Sequence, residues 1–231
     1  MDAALHQWNQ AGVFMRLSSR SPKDYHPHLI VASRSGQDIV NRLVCSGRSR
    51  ACLREYLATP DPSRPMNVVL LPWDHAMACS LEFRCFVHHK KLNCISQYDP
   101  YTVCRQLQPA ASSLLLRDRI VFFHDQIKDR VPYPSYVMDV VFKPSSSSIS
   151  SSSDEEQDPT DVSTLDCHLI EFNPFYADVS SGASLFDWER DYTLMYEGLA
   201  SDSPPIIRIR VDEGKKRTMH QAKRAMALDL V

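Results

Sequence analysis

Residues 136–142 read YVMDVVF and residues 168–175 read HLIEFNPF, and the fold turns on these two stretches. Each is a run of β-branched and aromatic residues, strand material, with an acid in its middle. A carboxylate in an apolar strand is expensive to bury unless something pairs with its charge. Glu171 and Asn173 stand two apart, so a strand carries both on one face. If the two strands pair, Asp139 joins them, and two carboxylates and an amide oxygen converge. Hard oxygen donors of this kind suit Mg2+ held jointly with the phosphates of a substrate. The plainer alternative is that Asp139 and Glu171 pair with a nearby Arg or Lys, or face solvent from a sheet edge.

Between the two strands lies SSSSISSSSDEEQDPTDVST (145–164). It is too polar and repetitive to pack, so 144–166 is expected as a disordered surface loop inside a hairpin, its serines accessible to phosphorylation. Before it, LEFRCFV (81–87), the polar turn HHKK (88–91) and LNCISQYD (92–99) predict a β-hairpin, with His88 and His89 solvated in the turn. NVVLLPW (67–73) is a continuous apolar run and predicts a buried strand, Pro72 marking its edge or connector. GVFMRL (12–17) alternates and predicts another.

Helical spacing appears three times. Ser35 can cap a helix over 36–46 with Ile39, Val40, Leu43 and Val44 as its apolar face. A second helix over 48–57 is ended by the breaker cluster TPDPSRP. Residues 112–130 place Leu116, Ile120, Phe123 and Ile127 on one side. Helices are expected again near 185–196 and 215–229. A short apolar run stands at 29–32, and no internal repeat is visible. The connection lengths favour antiparallel strands with helices between groups of them, so the class is α+β.

The chain has 231 residues, 43% of them hydrophobic and 23% charged, ordinary values for a chain that buries a sizeable core. A net charge of −2 demands neither nucleic acid nor a membrane surface. The cluster Lys215, Lys216 and Arg217 reads as a solvated face. No apolar run is long enough to span a bilayer, and MDAALHQWNQ lacks the basic start and apolar core of a signal peptide, so the expected compartment is cytoplasmic. The seven cysteines include no CxxC pair and read as buried reduced thiols. A zinc site from Cys45, Cys52, His26 and His28 matches no standard spacing.

Cationic groups complement the acids. Arg16 and Arg84 each stand among apolar strand residues, as a triphosphate site requires. Their plainer reading is a strand-face ion pair, Glu82 with Arg84 or with a cross-strand neighbour. With only six glycines and neither GxxxxGK[ST] nor GxGxxG, a nucleotide would be held by side chains on a sheet. VVLLPW could line an adenine pocket or be plain core.

The series FMRLSSRSPKD, SLEFRCFVHHKKLNCISQYD, YVMDVVF, LIEFNPF and SLFDW resembles, in order and spacing, the cell-division-cycle protein 123 family, over roughly residues 12–190. That family reads F-x-K-L-N-W-S-x-P-R-D, E-F-R-C-F-V with L-I-x-I-S-Q-R-D, D-[IV]-Y, I-D-F-N-P-F and L-F-x-W. The resemblance implies an ATP-grasp-like fold, with ATP and Mg2+ in a cleft between two α+β lobes of mostly antiparallel sheet. By position it implies metal ligands at Asp139, Glu171 and Asn173, with Glu171 replacing the family's Asp. It implies ATP contacts at Arg16, Ser19, Ser21, Lys23, Leu71, Trp73 and Arg84. Arg16 stands for a lysine, Lys23 for an arginine, Ser19 for a tryptophan and Ser21 for an alanine. Leu71 and Trp73 fall at the inter-lobe hinge, Leu71 replacing a basic residue. Tyr98 replaces the arginine of SQRD.

The implied domains are an N-terminal lobe over 1–72, a lobe with the metal site over 73–200, and a tail and helix over 201–231. The implied function is ATP-dependent assembly of eukaryotic translation initiation factor 2 through its gamma subunit, by a monomeric chaperone rather than an enzyme. The segments that precede and follow the family's motifs are short here and differ in sequence. Two alternatives stand beside this: an ATP-grasp ligase-type enzyme, for which no nucleophile–base pair is evident, and a degenerate member without ATP binding.

Overall fold

Val13, Met15 and Leu17 are buried while Phe14 and Arg16 stay half-exposed, the period-two pattern of a strand with one covered face. In the computed structural model, which describes residues 12–25, 31–77, 81–144, 161–177, 182–200 and 203–211, this is β1, Val13–Leu17. It pairs antiparallel with β2, Val68–Pro72, from Val13 opposite Pro72 to Leu17 opposite Val68. β2 is not the buried strand its composition predicts: it is an edge of a two-stranded ribbon, with Val68 and Leu71 exposed. Gly12 enters β1 at φ +80°, where a Cβ would meet the Ser33 carbonyl oxygen at 2.8 Å.

The predicted cap at Ser35 forms, its side chain accepting from the Asp38 N–H at 3.1 Å, and starts α1, Gly36–Cys45. Ser46 caps α2, Gly47–Ala58, accepting from the Ser49 N–H at 3.0 Å. The same hydroxyl donates to Asp24 at 2.5 Å, and the second Asp24 oxygen accepts from the Arg48 N–H at 3.0 Å. Ile39 packs against Val13 and Met15, flanked by Leu43 and Leu70. Val40 and Val44, predicted on that face, are 41% and 61% exposed; two strands cover only a narrow stripe of α1. These elements lie in a compact unit, Met1–His75.

The second unit, Ala76–Val231, is built on a five-stranded sheet in the order β6-β5-β3-β4-β7. The strands are β3 Glu82–His88, β4 Lys91–Gln97, β5 Tyr136–Pro144, β6 Leu165–Pro174 and β7 Ile206–Arg208. Every pairing is antiparallel except β4 with β7. The β3–β4 hairpin forms, but its turn is only His89–Lys90, both at positive φ. Contrary to expectation His88 is half-buried rather than fully solvated: its Nδ1 lies 2.7 Å from the Tyr196 carbonyl oxygen, and its ring packs on Phe175. β5 and β6 run on to Pro144 and back from Leu165, so the described strands take the ends of the predicted loop, whose residues 145–160 lie outside the described ones.

Strand alternation gives the sheet two different faces. Phe83, Cys85, Met138, Val140 and Phe142 pack with Leu116 and Ile120 of α3, Ala110–Ile127. On the opposite face Phe86, Cys94 and Val137 pack with Phe175, Phe186 and Met195. The predicted helix over 185–196 is helical only at α4, Tyr192–Tyr196. The Asp187 carboxylate accepts the Glu189 and Arg190 N–H groups at 3.1 and 2.9 Å, which holds the preceding residues in turns. Cys52, Cys85, Cys94 and Cys104 are buried thiols as expected, whereas Cys45 is exposed. His26, His28, the first half of the 29–32 run and the expected 215–229 helix fall outside the described residues.

Candidate cation-binding site

β5 and β6 pair so that Asp139 stands opposite Glu171 and Val137 opposite Asn173. Directly opposed residues of an antiparallel pair project to the same face, and Asn173 follows Glu171 by two. The three predicted donors therefore meet. The Asn173 Nδ2 donates to Asp139 Oδ2 at 3.0 Å, which turns the amide oxygen away from that carboxylate. A bulge helps: Asp139 faces Glu171 while Val140 faces Leu169, so Ile170 is the unpaired extra residue. Nothing in the residue pattern announces that register shift.

The row continues across the sheet. Arg84 of β3 stands opposite Asp139, Ser96 of β4 opposite Arg84, and Arg208 of β7 opposite Ser96. Arg84 Nε donates to Asp139 Oδ1 at 2.9 Å and Nη2 to Oδ2 at 2.7 Å, a two-pronged ion pair between side chains 8% and 1% exposed. So the plainer alternative holds for Asp139, which is paired with an arginine. Burial opposes the Arg84 charge most, yet the bond to Asp139, the Asp139 charge, and the Tyr98 and Glu82 charges outweigh it and raise the guanidinium pKa.

Behind Arg84, residues 182–191 cross this face as a strap. Arg84 Nη1 donates to the Gly182 carbonyl at 2.8 Å, and the Leu185 N–H donates to the Ser96 hydroxyl at 2.9 Å. Arg208 holds the far end through Asp191 at 2.6 and 2.7 Å and lies 4.1 Å from the Phe186 ring centre. The Tyr98 ring sits 4.8 Å from the Arg84 guanidinium, a cation–π contact. Residue reading missed Ser96, Asp191 and Arg208. Their only sequence signals were a polar residue in an apolar strand and the alternation of IIRIR, both weak.

The remaining predicted residues lie in the first unit. Arg16 shares the outer face of the β1–β2 ribbon with Leu71, which is 45% exposed; Arg16 Nε donates to the Leu17 carbonyl at 3.3 Å. The Ser19 hydroxyl lies 2.8 Å from the Cys52 sulfur. Ser21 is buried and its carbonyl accepts from Arg48 Nε at 3.1 Å. Lys23 lies half-buried in a turn, and the Trp73 N–H donates to the Gly12 carbonyl at 3.1 Å.

Two carboxylates and one amide on the same face of adjacent strands are hard oxygen donors, the kind that suit a divalent cation such as Mg2+. They do not suit a soft metal, and no cluster of three His, Cys, Asp or Glu side chains that could hold one occurs among the described residues. No described helix is long and apolar enough to cross a membrane.

The second unit's sheet and helices, with the β1–β2 ribbon, make an α+β protein of mostly antiparallel strands, and that fold has a solved counterpart. Cdc123 from Schizosaccharomyces pombe superposes with a TM-score of 0.66 at 21% identity, over 90% of this chain and 75% of that one. A sequence model of the D123 family matches residues 8–230. The chain belongs to the D123 family, that of the Cdc123 proteins. Among its relatives is the translation initiation factor eIF2 assembly protein of Aspergillus oryzae, 40% identical over 88 residues, which are 38% of this chain and 20% of that protein. The protein of the same name from Danio rerio is 31% identical over 131 residues, 57% of this chain and 31% of the relative. The matched stretches thus span less than a third of either relative's length.

Proposed function

We propose that this protein binds ATP with Mg2+ in the manner of an ATP-grasp protein and assists assembly of eIF2 in the cytoplasm, through the gamma subunit. The observation that carries the nucleotide reading is the meeting of Asp139 with Glu171 and Asn173 on adjacent strands, with Arg84 at hand to face phosphate. Asp139, Glu171 and Asn173 hold the cation; Arg16, Ser19, Ser21, Lys23, Leu71, Trp73 and Arg84 are the nucleotide contacts. The bound cation would supply charge neutralisation of the phosphates. The client reading draws on the relatives' role in eIF2 assembly.

Thermal unfolding with and without Mg-ATP tests the site. A ligand at about a hundred times its Kd stabilises by about 2.7 kcal/mol, a shift of several degrees. The wild type is expected to show it and Asp139→Asn/Asn173→Ala to lose it; equal shifts in both would reject the assignment. Recovery of the eIF2 gamma subunit on the immobilised protein, greater with Mg-ATP than without, tests the client. A second reading, a family member without nucleotide, draws on the two-pronged Arg84–Asp139 pair, and is favoured if no shift occurs in the wild type.

A further inference from the structure

We infer that an aromatic cleft at one end of the second unit's sheet is a docking site for an uncharged, proline-rich stretch of a partner protein, taken up as a polyproline II helix. The cleft has a volume of about 750 Å3 and lies where β5 starts, β6 ends and β3 runs into its turn. Its sequence signal is the interleaving of rings and prolines in VPYPSY (131–136) and FNPFY (172–176). Of these, Tyr133, Phe172 and Tyr176 are exposed and belong neither to the core nor to the proposed nucleotide contacts.

The floor is set before any ligand arrives. The Tyr136 hydroxyl lies 3.0 Å from His124 Nε2, and its ring meets Phe172 edge-on at 5.3 Å. Phe175 is buried and held edge-on by Trp188 and Tyr196, at 5.2 and 5.0 Å. The walls stand open: Tyr133 and Tyr176 are 63% and 64% exposed, and neither hydroxyl is hydrogen-bonded to another described residue. Rings of this size offer a large contact area while giving up only two side-chain torsions each on binding.

The chemistry of the lining selects the occupant. No Lys, Arg, Asp or Glu side chain among the described residues lines the cleft, so a nucleic-acid backbone or a charged peptide finds no counter-charge there. Pro134 and Pro174 have no N–H, so an added β-strand finds no ladder to join. The Ser135 hydroxyl already accepts the His89 N–H at 3.1 Å, and the Asn173 amide is turned to Asp139. Ring faces and tyrosine hydroxyls remain. A polyproline II segment matches that set: its pyrrolidine rings lie against ring faces, and its carbonyls, bonded to nothing within the helix, accept from a tyrosine O–H. Its φ is fixed beforehand, so little ordering entropy opposes docking.

The test titrates a capped proline decamer into the isotope-labelled whole chain and follows its amide resonances. Saturable shifts are expected in the segments around Tyr133 and Tyr176, and none with a capped Gly-Ser decamer. Tyr133→Ala and Tyr176→Ala, at side chains too exposed to hold the fold, are each expected to weaken binding about tenfold. The double change Tyr133→Phe/Tyr176→Phe keeps the rings, removes the hydroxyls and is expected to weaken it severalfold. Phe122→Ala, an equally exposed ring on α3, is expected to bind as the wild type does. No saturable shift with the proline decamer, or an affinity unmoved in both alanine variants, overturns the inference. Shifts at the cleft with a uridine decamer and none with proline overturn it in favour of single-stranded nucleic acid. The Mg-ATP thermal shift reads the nucleotide site separately, so either proposal can fail without the other.

Discussion

His124 is 2% exposed on α3, and its Nε2 lies 3.0 Å from the Tyr136 hydroxyl. Burial is the main cause that pushes its pKa from 6.5 down to about 4; Lys128 and Lys90 push the same way, while Asp125 and Asp129 oppose. Between those two values the unfolded chain takes up a proton that the folded protein refuses. Its contribution to stability is therefore complete above pH 6.5, falls as the pH drops toward 4, and levels off below. Urea unfolding from pH 7 to 4 should show the decline, and His124→Gln should flatten it over that window. A variant with an unchanged profile would place the pH dependence elsewhere. At the same scale, Asp139 illustrates how little a residue's type says of its partner. An acid in an apolar strand announced that a positive group must be near, yet Arg84 lies 55 positions away in the chain.

Among the elements, the two helices of the first unit are held at their starts. Ser35 caps α1 with a single bond from Asp38, whereas Ser46 caps α2 and also anchors Asp24. Burial alone would raise the Asp24 pKa and is the largest single influence, but the Ser46 hydroxyl and the Arg48 N–H together lower it. Loss of an N-cap costs about 0.5–2 kcal/mol. Ser46→Ala is therefore expected near the upper end and Ser35→Ala near the lower, as measured by denaturant midpoints; the reverse order would mean that Asp24 contributes little. The Ser35 cap was legible, since a serine before an amphipathic run is a local signal; the Ser46 cap was found only in the structure. The short α4 was not legible, because its boundaries depend on Asp187, Asp191 and the distant Arg208.

At the scale of the molecule, the two units differ in what they bury. The first gathers Val13, Met15 and Ile39 behind a two-stranded ribbon. The second covers both faces of a five-stranded sheet, with Phe83, Met138 and Phe142 under α3 and Phe86 under Phe186 and Trp188. Openings that expose little apolar surface cost least, so amide exchange should be slowest in β3, β4 and β5 and faster in β1 and β2. Equal protection in β1 and β3 would contradict this.

The sequence by itself determined the α+β class, the β3–β4 hairpin, the Ser35 cap and the family, because these rest on local periodicity and on short motifs in a fixed order. It also singled out Asp139, Glu171 and Asn173, since an acid among apolar strand residues carries its own electrostatic cost. Only the tertiary structure decided that Ile170 bulges, that Arg84 grips Asp139 with two bonds, and that residues 182–191 lie across the polar row. Strand register and long-range ion pairs are set by which surfaces bury each other once the chain has collapsed. No window of neighbouring residues contains that information.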